Sequence, residues 1–447
     1  MKKSMTIFIG IGVFALIAIF LWVAILNNIF KEDVGIENDN NLSFSYGDIK
    51  ESSLGSLCSG KEECLDYCKN NRGRCEDYCK GSNNDICAIL FQREGLPSCD
   101  NKKEWFTISP VSFEDLDVMV PLGSLNPFSH VFPTDHLYMN VKIDEISDIF
   151  IKAKVISPGE IYVKSITSSE HLSANPPFTD YDLEFYPCED IYARFGHVTS
   201  LSTKLQEQFN KESGKECTSS INGRRCTKRV NIQLEAGEEI GATGGVEGGA
   251  AGLDFWLSDY RIEEISYANP SRWGESSFYI TCPADYFVSD IRNEMYTMLK
   301  ISRVPNIEPI CGTVEQDIVG TAQGVWFVKG TSNTYPENPH LALVHHNMYP
   351  LNETFSVGIS LVDYGLTSGT YSFIPQDTGT VNRDFKDVKA DGNVYCYDSL
   401  SGKFGDKIPK IIIIQLINST TLRIEGKQVD ICGTGPWNFD KGFEFER

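Results

Sequence analysis

The longest apolar stretch lies at the start of the chain. From Thr6 to Leu26 the run TIFIGIGVFALIAIFLWVAIL carries no charge, enough for a helix to cross about 30 Å of hydrocarbon. Leu21, Trp22, Ile25 and Leu26 run straight into Asn27 and Asn28, whereas a cleaved leader ends on small residues, so the segment reads as an uncleaved anchor occupying residues 1–30. Residues 31–57 are polar without a helical period and read as a solvated linker. In residues 58–105 the pairs Cys64/Cys68 and Cys75/Cys79 each share one helical face, which predicts a short helical hairpin. Residues 106–310 break into short β-like runs, among them HLYMNVKI, IFIKAKVI, EIYVKSI and YDLEFYP, separated by Gly, Pro and polar turns. Residues 311–447 repeat the habit in eight runs: GVWFVKG, HLALVHH, FSVGISL, GTYSFIP, NVYCYDSL, KIIIIQLI, TLRIEGK and FEFER. The expected fold class is a mainly β ectodomain, with one β domain over 106–310 and a barrel or sandwich over 311–447, behind a transmembrane helix and a small Cys-rich hairpin.

Charge sets the compartment and excludes a class of partner. Lys2 and Lys3 precede the apolar run and acidic residues soon outnumber Lys31 after it, so the positive-inside rule keeps the N-terminus cytoplasmic and the body outside. That body carries 38 basic against 61 acidic residues, a net of −23, which repels nucleic acid. Fourteen cysteines in an oxidising compartment are expected to pair as seven disulfides. Asn41, Asn352 and Asn418 begin N-glycosylation triplets, a pattern too short to weigh heavily. The spacing of the twin C-x3-C pairs resembles that of coiled-coil-helix-coiled-coil-helix proteins, which implies Cys64–Cys79 and Cys68–Cys75 staples. A zinc site there is disfavoured, since zinc modules use other spacings and often add His, and this segment has none.

Five segments of the central domain stand in a suggestive order: PFSHVFPTDHLYMN, AKVISPGEIYVKS, YDLEFYPCEDIYARFGHVTSL, VNIQLEAGEEIGATGG and GGAAGLDFWLSD. From about Ser109 to Asp259 the series resembles the lysostaphin-type zinc endopeptidases, which have the duplicated hybrid motif fold and usually cut peptide cross-links of bacterial cell walls. Gly237-Glu-Glu-Ile-Gly241 and Phe195-Gly-His-Val198 match the family's turn and its Tyr-Gly-His-Leu segment. The family holds zinc on three protein ligands with an open fourth position, where the ion polarises a carbonyl and activates water.

The resemblance implies a degenerate site. His136 takes the first ligand position, Asn140 stands where the second ligand, Asp, belongs, and Asp254 replaces the ligand His of the closing His-x-His-Phe. Gly252 replaces a catalytic His of that motif, and His197 is the remaining candidate catalytic residue. A His/Asn/Asp set favours harder cations over zinc, and each lost acid-base or electrostatic group costs roughly 10²-fold or more. No cofactor is therefore expected, and zinc only if the site is active. An alternative register would use His130, Asp135, His136 and Asp254; against it, a five-residue spacing puts His130 and Asp135 on opposite faces of a strand, and Pro133 between them calls for a bent loop.

The remaining motifs are weaker. ATGGVEGGAAG (242–252) lacks a following Lys-Ser/Thr and leads into a strand, so it reads as a hairpin loop at the groove rather than a phosphate cradle. Gly324-Val325-Trp326 is similar to the G-x-W of lipocalin-like barrels. His340, His345 and His346 read as surface histidines, because neighbours on a strand point to opposite faces. Three functions follow. The favoured one is a membrane-anchored, non-catalytic protein that binds a peptide or protein of the cell envelope in a peptidase-like groove. The others are an active metalloendopeptidase on wall peptides or surface proteins, and a ligand-binding barrel.

Overall fold

The computed structural model describes residues 95–447 except Phe128, Glu212, Asn222 and Asn333, together with Tyr67 and Arg93. The Thr6–Leu26 span, the 31–57 linker and the Cys64–Cys79 and Cys68–Cys75 staples lie outside the described residues; among the described residues no helix is long and apolar enough to cross a membrane. The chain divides into Met1–Ser82 and Asn83–Arg447, and all the described residues but Tyr67 belong to the second unit.

This unit is mainly β. Its first sheet contains β1 (Leu116–Val120), β2 (His136–Val141), β3 (Ala153–Ile156), β4 (Ile161–His171), β5 (Phe178–Cys188), β6 (Ile191–Leu201), β7 (Lys215–Ser220), β8 (Gly223–Leu234), β9 (Glu239–Thr243) and β10 (Gly252–Asp259). The order is β1-β2-β10-β6-β5-β4-β8-β7, while β9 pairs β3 and the far end of β6. Period-two alternation sends one set of side chains into a core and leaves the other on an open, polar face. Leu137, Met139, Leu253, Phe255, Phe195, Leu183 and Phe185 are fully buried. Their rings form a ladder: Phe185–Phe195 and Phe195–Phe255 at 4.8 Å, continued through Phe106 to Phe287. Helix α1 (Thr203–Phe209) adds Leu205 and Phe209 to this core, and α2 (Ser289–Ser302) adds Met295 and Leu299.

All eight runs expected in the last third are strands: β11 (Gly324–Val328), β12 (Leu341–His345), β13 (Glu353–Val357), β14 (Gly369–Phe373), β15 (Tyr395–Tyr397), β16 (Ile411–Asn418), β17 (Thr421–Lys427) and β18 (Phe443–Glu446). In the order β14-β13-β12-β11-β18-β17-β16-β15 each strand lies beside a sequence neighbour, except where β11 meets β18. The two edges approach closure through Ser372 and Ser401, whose amides and carbonyls exchange hydrogen bonds of 2.8 and 2.9 Å. The result is a nearly closed, up-and-down, barrel-like sheet. Its interior is filled by Trp326, Phe355, Phe373, Phe385, Tyr397 and aliphatic neighbours. Trp326 Nε1 donates to the Ala322 carbonyl at 2.8 Å and the Arg447 guanidinium covers the indole at 3.9 Å.

The two sheets share a seam in which Val325, Phe327, Ala342 and Val344, on the outer face of the barrel, pack on Leu125, Val131 and Phe132. Disulfides Cys99–Cys188, Cys217–Cys226, Cys282–Cys311 and Cys396–Cys432 close the unit. Cys99, read with the Cys-rich segment, joins the end of β5 instead, and Cys282–Cys311 straddles the boundary expected at 310. The glycine-rich segment leads into β10 as expected, but it is not a hairpin loop. β9 and β10 pair with different ends of β6, so the segment carries the chain along that strand rather than reversing it.

Candidate functional site

Three neighbouring strands build the site. Trp256 lies opposite His136, Asp254 opposite Tyr138 and Gly252 opposite Asn140, while β6 sets Gly196 beside Asp254 and Arg194 beside Trp256. Alternation therefore puts His136, Asp254, Trp256 and Arg194 on one face. His197 reaches that face by a different device. Between the pairs Tyr181/Val198 and Leu183/Phe195, Gly196 and His197 together oppose the single residue Asp182. This is a β-bulge, and His197 sits in it at φ +59°. A bulge re-aims a side chain, and a left-handed non-glycine residue is costly enough to be held only where its surroundings dictate it. Gly196 gives Trp256 room: a Cβ there would lie 2.8 Å from the indole.

The polar groups form a chain of alternating imidazoles and carboxylates. Asp135 Oδ1 accepts from Trp256 Nε1 at 2.6 Å and faces His136 Nδ1 at 3.1 Å. His136 Nε2 lies 3.4 Å from Asp254 Oδ2, an ion-pair contact not aligned as a hydrogen bond, and this buried nitrogen has no other partner. The same Asp254 oxygen is 3.3 Å from His197 Nε2. His197 Nδ1 faces Asp180 Oδ2 at 2.7 Å, and Asp180 Oδ1 faces His171 Nε2 at 2.9 Å.

Burial opposes charge throughout, and pairing overrides it. For His197 the hydrogen bonds to Asp180 and Asp254 outweigh burial and push its pKa up to about 10. The charge of Asp254 and the Asp135 hydrogen bond likewise raise His136. The two imidazoles hold Asp254 well below the usual carboxylate range, and Asp135 and Asp180 are lowered by their own His partners. Near neutral pH His197 is therefore an imidazolium facing the Asp254 and Asp180 carboxylates.

The loop before β2 closes the site on one side. It turns back at Asn126 and His130, bringing the His130 ring 5.6 Å from that of His136. Phe132 then stacks on His340 at 5.5 Å and its amide donates to Glu337 Oε2 at 2.9 Å. Burial lifts Glu337 to about 7. A cavity of about 190 Å³ lies here, lined among others by His130, Asp135, His136, Trp256, Trp273 and Glu337.

His136, Asp254 and His197 are brought together, as are His130 and Asp135 of the alternative register; the turn that pairs Asn126 with His130 sets the His130 ring beside His136. Asn140 is not brought to them. It lies four residues from His136 on the same regular strand, about 13 Å along it, so His136, Asn140 and Asp254 do not form one metal site. Gly252 leaves no space for the missing His, since a Cβ there would sit 2.0 Å from the Met139 carbonyl oxygen. His136, His197 and Asp254 fit zinc better in kind: gaps of 3.3 and 3.4 Å match the roughly 3.3 Å edge of a zinc tetrahedron, and both Nδ1 atoms are anchored by carboxylates, as in metal-ligating histidines. The third edge does not close. Among the described residues, the one set of three such side chains whose ligand atoms all lie within 4.8 Å of one another is His345, Glu353 and Asp384.

Asp180 and Trp256 were not singled out from sequence. Asp180, Asp182 and Glu184 alternate with Tyr181, Leu183 and Phe185, so an acidic polar face on β5 was readable there. Its contact with His197 depended on the bulge. No protein family, curated protein or solved structure matches this chain.

Proposed function

We propose that this protein is anchored by Thr6–Leu26 with its body outside the cytoplasm, and that the His136–Asp254–His197 face binds an envelope peptide or protein without hydrolysing it. The observation that carries this reading is Asp254, whose one oxygen is engaged by two imidazoles. A carboxylate so neutralised is a poor base, and the backbone at Gly252 excludes the catalytic His of the closing His-x-His-Phe pattern. The ordered motifs from Ser109 to Asp259 support descent from a duplicated hybrid motif peptidase, and the four disulfides among the described residues support an oxidising compartment. The aromatic filling of the barrel counts against a ligand-carrying role.

The second reading, a metalloendopeptidase, is favoured by one specific feature: the anchored Nδ1 atoms that aim both Nε2 atoms at Asp254. Elemental analysis of the purified full chain, with Asp254→Ala alongside, separates the two. Stoichiometric zinc lost in the variant overturns the non-catalytic reading. A folded chain whose metal content is the same with and without Asp254→Ala, and that retains wall peptides on affinity capture and loses them with Trp256→Ala, supports it.

A further inference from the structure

At one end of the barrel the interior changes from apolar to ionisable. Leu341, Leu343, Phe355 and Val357 point inward, so alternation also turns His345 and Glu353, which are register partners on β12 and β13, inward. Asp384 joins them from the loop before the Phe385–Asp387 turn. The three side chains each offer a ligand atom within 4.8 Å of the other two, with His345 Nε2 3.9 Å from Glu353 Oε1. Glu353 is fully buried, and its two oxygens share the Phe385 amide at 3.1 and 3.0 Å. The ammonium of half-exposed Lys386 engages Asp384 Oδ2.

A second observation points to a missing occupant. Tyr397 is fully buried in the same interior, its hydroxyl has no hydrogen-bond partner, and Glu353 is the charge that acts on it most. An orphaned buried hydroxyl beside an under-compensated carboxyl is costly. Of the three side chains, His345 also borders a cavity of about 240 Å³, together with His346 and Gln316. Arg303, also in its wall, is held by the Ile307 and Asn347 carbonyls.

We propose that this barrel mouth binds a divalent first-row transition cation through His345, Glu353 and Asp384. One imidazole with two carboxylates suits Mn²⁺ or Zn²⁺ and departs from the all-oxygen shell of Ca²⁺. The ion supplies the counter-charge that Glu353 lacks, and the Tyr397 hydroxyl becomes a donor to a ligating carboxylate. The three histidines of this region do not act together: His340 stacks on Phe132, and His346 Nδ1 accepts the Met348 amide.

The test is a Mn²⁺ titration of the purified full chain, following the signal of free Mn²⁺ by electron paramagnetic resonance. One ion per chain is expected, bound at least tenfold more weakly by Glu353→Gln and by half-exposed His345→Asn, and unchanged in Asp254→Ala, which removes the groove carboxylate. Equal affinity in the wild type and both barrel variants, no saturable binding, or loss in Asp254→Ala alone overturns the assignment.

Discussion

Asp254→Asn keeps the shape of the side chain and removes its charge, leaving the half-exposed His197 imidazolium and the buried His136 ring without their shared counter-ion. Removing one partner of a buried ion pair costs about 3–5 kcal/mol. The pH profile adds a second check. His197 rises from 6.5 to about 10, a shift that corresponds to about 5 kcal/mol; its side chain is 39 % exposed, so screening reduces its share to about 1–2 kcal/mol. Because the folded pKa lies above the unfolded one, this stability is fully present below pH 6.5 and is lost as the pH rises through about 10. The lowered carboxylates act oppositely, contributing above their unfolded value of 3.8 and losing that contribution in acid. Urea unfolding followed by tryptophan fluorescence at pH 6 and pH 10 measures both. The variant is expected to be about 3–5 kcal/mol less stable at pH 6, with a smaller gap at pH 10. A variant as stable as the wild type at pH 6, or a gap that does not shrink, refutes the ion-pair account.

Three further outcomes are expected. Gly252→Ala drives a Cβ against the Met139 carbonyl and lowers stability by about 1–3 kcal/mol in denaturant unfolding, so the missing His is not restored by a point substitution. Removing Cys99–Cys188, which spans 89 residues, costs about 4–5 kcal/mol in the same assay, against about 2–3 for Cys217–Cys226, which spans 9. Glu337 has a raised pKa of about 7, so its contribution is present below its unfolded 4.5 and is lost as pH rises to 7. Glu337→Gln therefore gains about 3 kcal/mol relative to the wild type on going from pH 4 to pH 8, read as the shift in unfolding midpoint.

The barrel strands were legible because each is a short apolar run bounded by turn residues, and local alternation is enough to mark such a strand. KIIIIQLI and GVWFVKG became β16 and β11 in this way. The site was legible only in part. His136, His197 and Asp254 stood out as chemistry in an ordered series, but Asn140 was implied only by the family resemblance, and a regular strand carries it away from His136. His130 was set aside by strand logic that does not hold in a bent loop.

What the sequence determined by itself is most of the strands and the chemistry they carry, though not the helix Ser289–Ser302: apolar periods, turn residues, acidic charge and cysteine content are local or additive properties. What only the tertiary structure decided is which of those groups meet. The bulge that turns His197 toward Asp254, the pairing of Cys99 with Cys188, and the inward turn of Glu353 beside Asp384 each depend on strand register between segments far apart in the chain. Register is chosen by burial of the whole sheet face, which no single segment encodes.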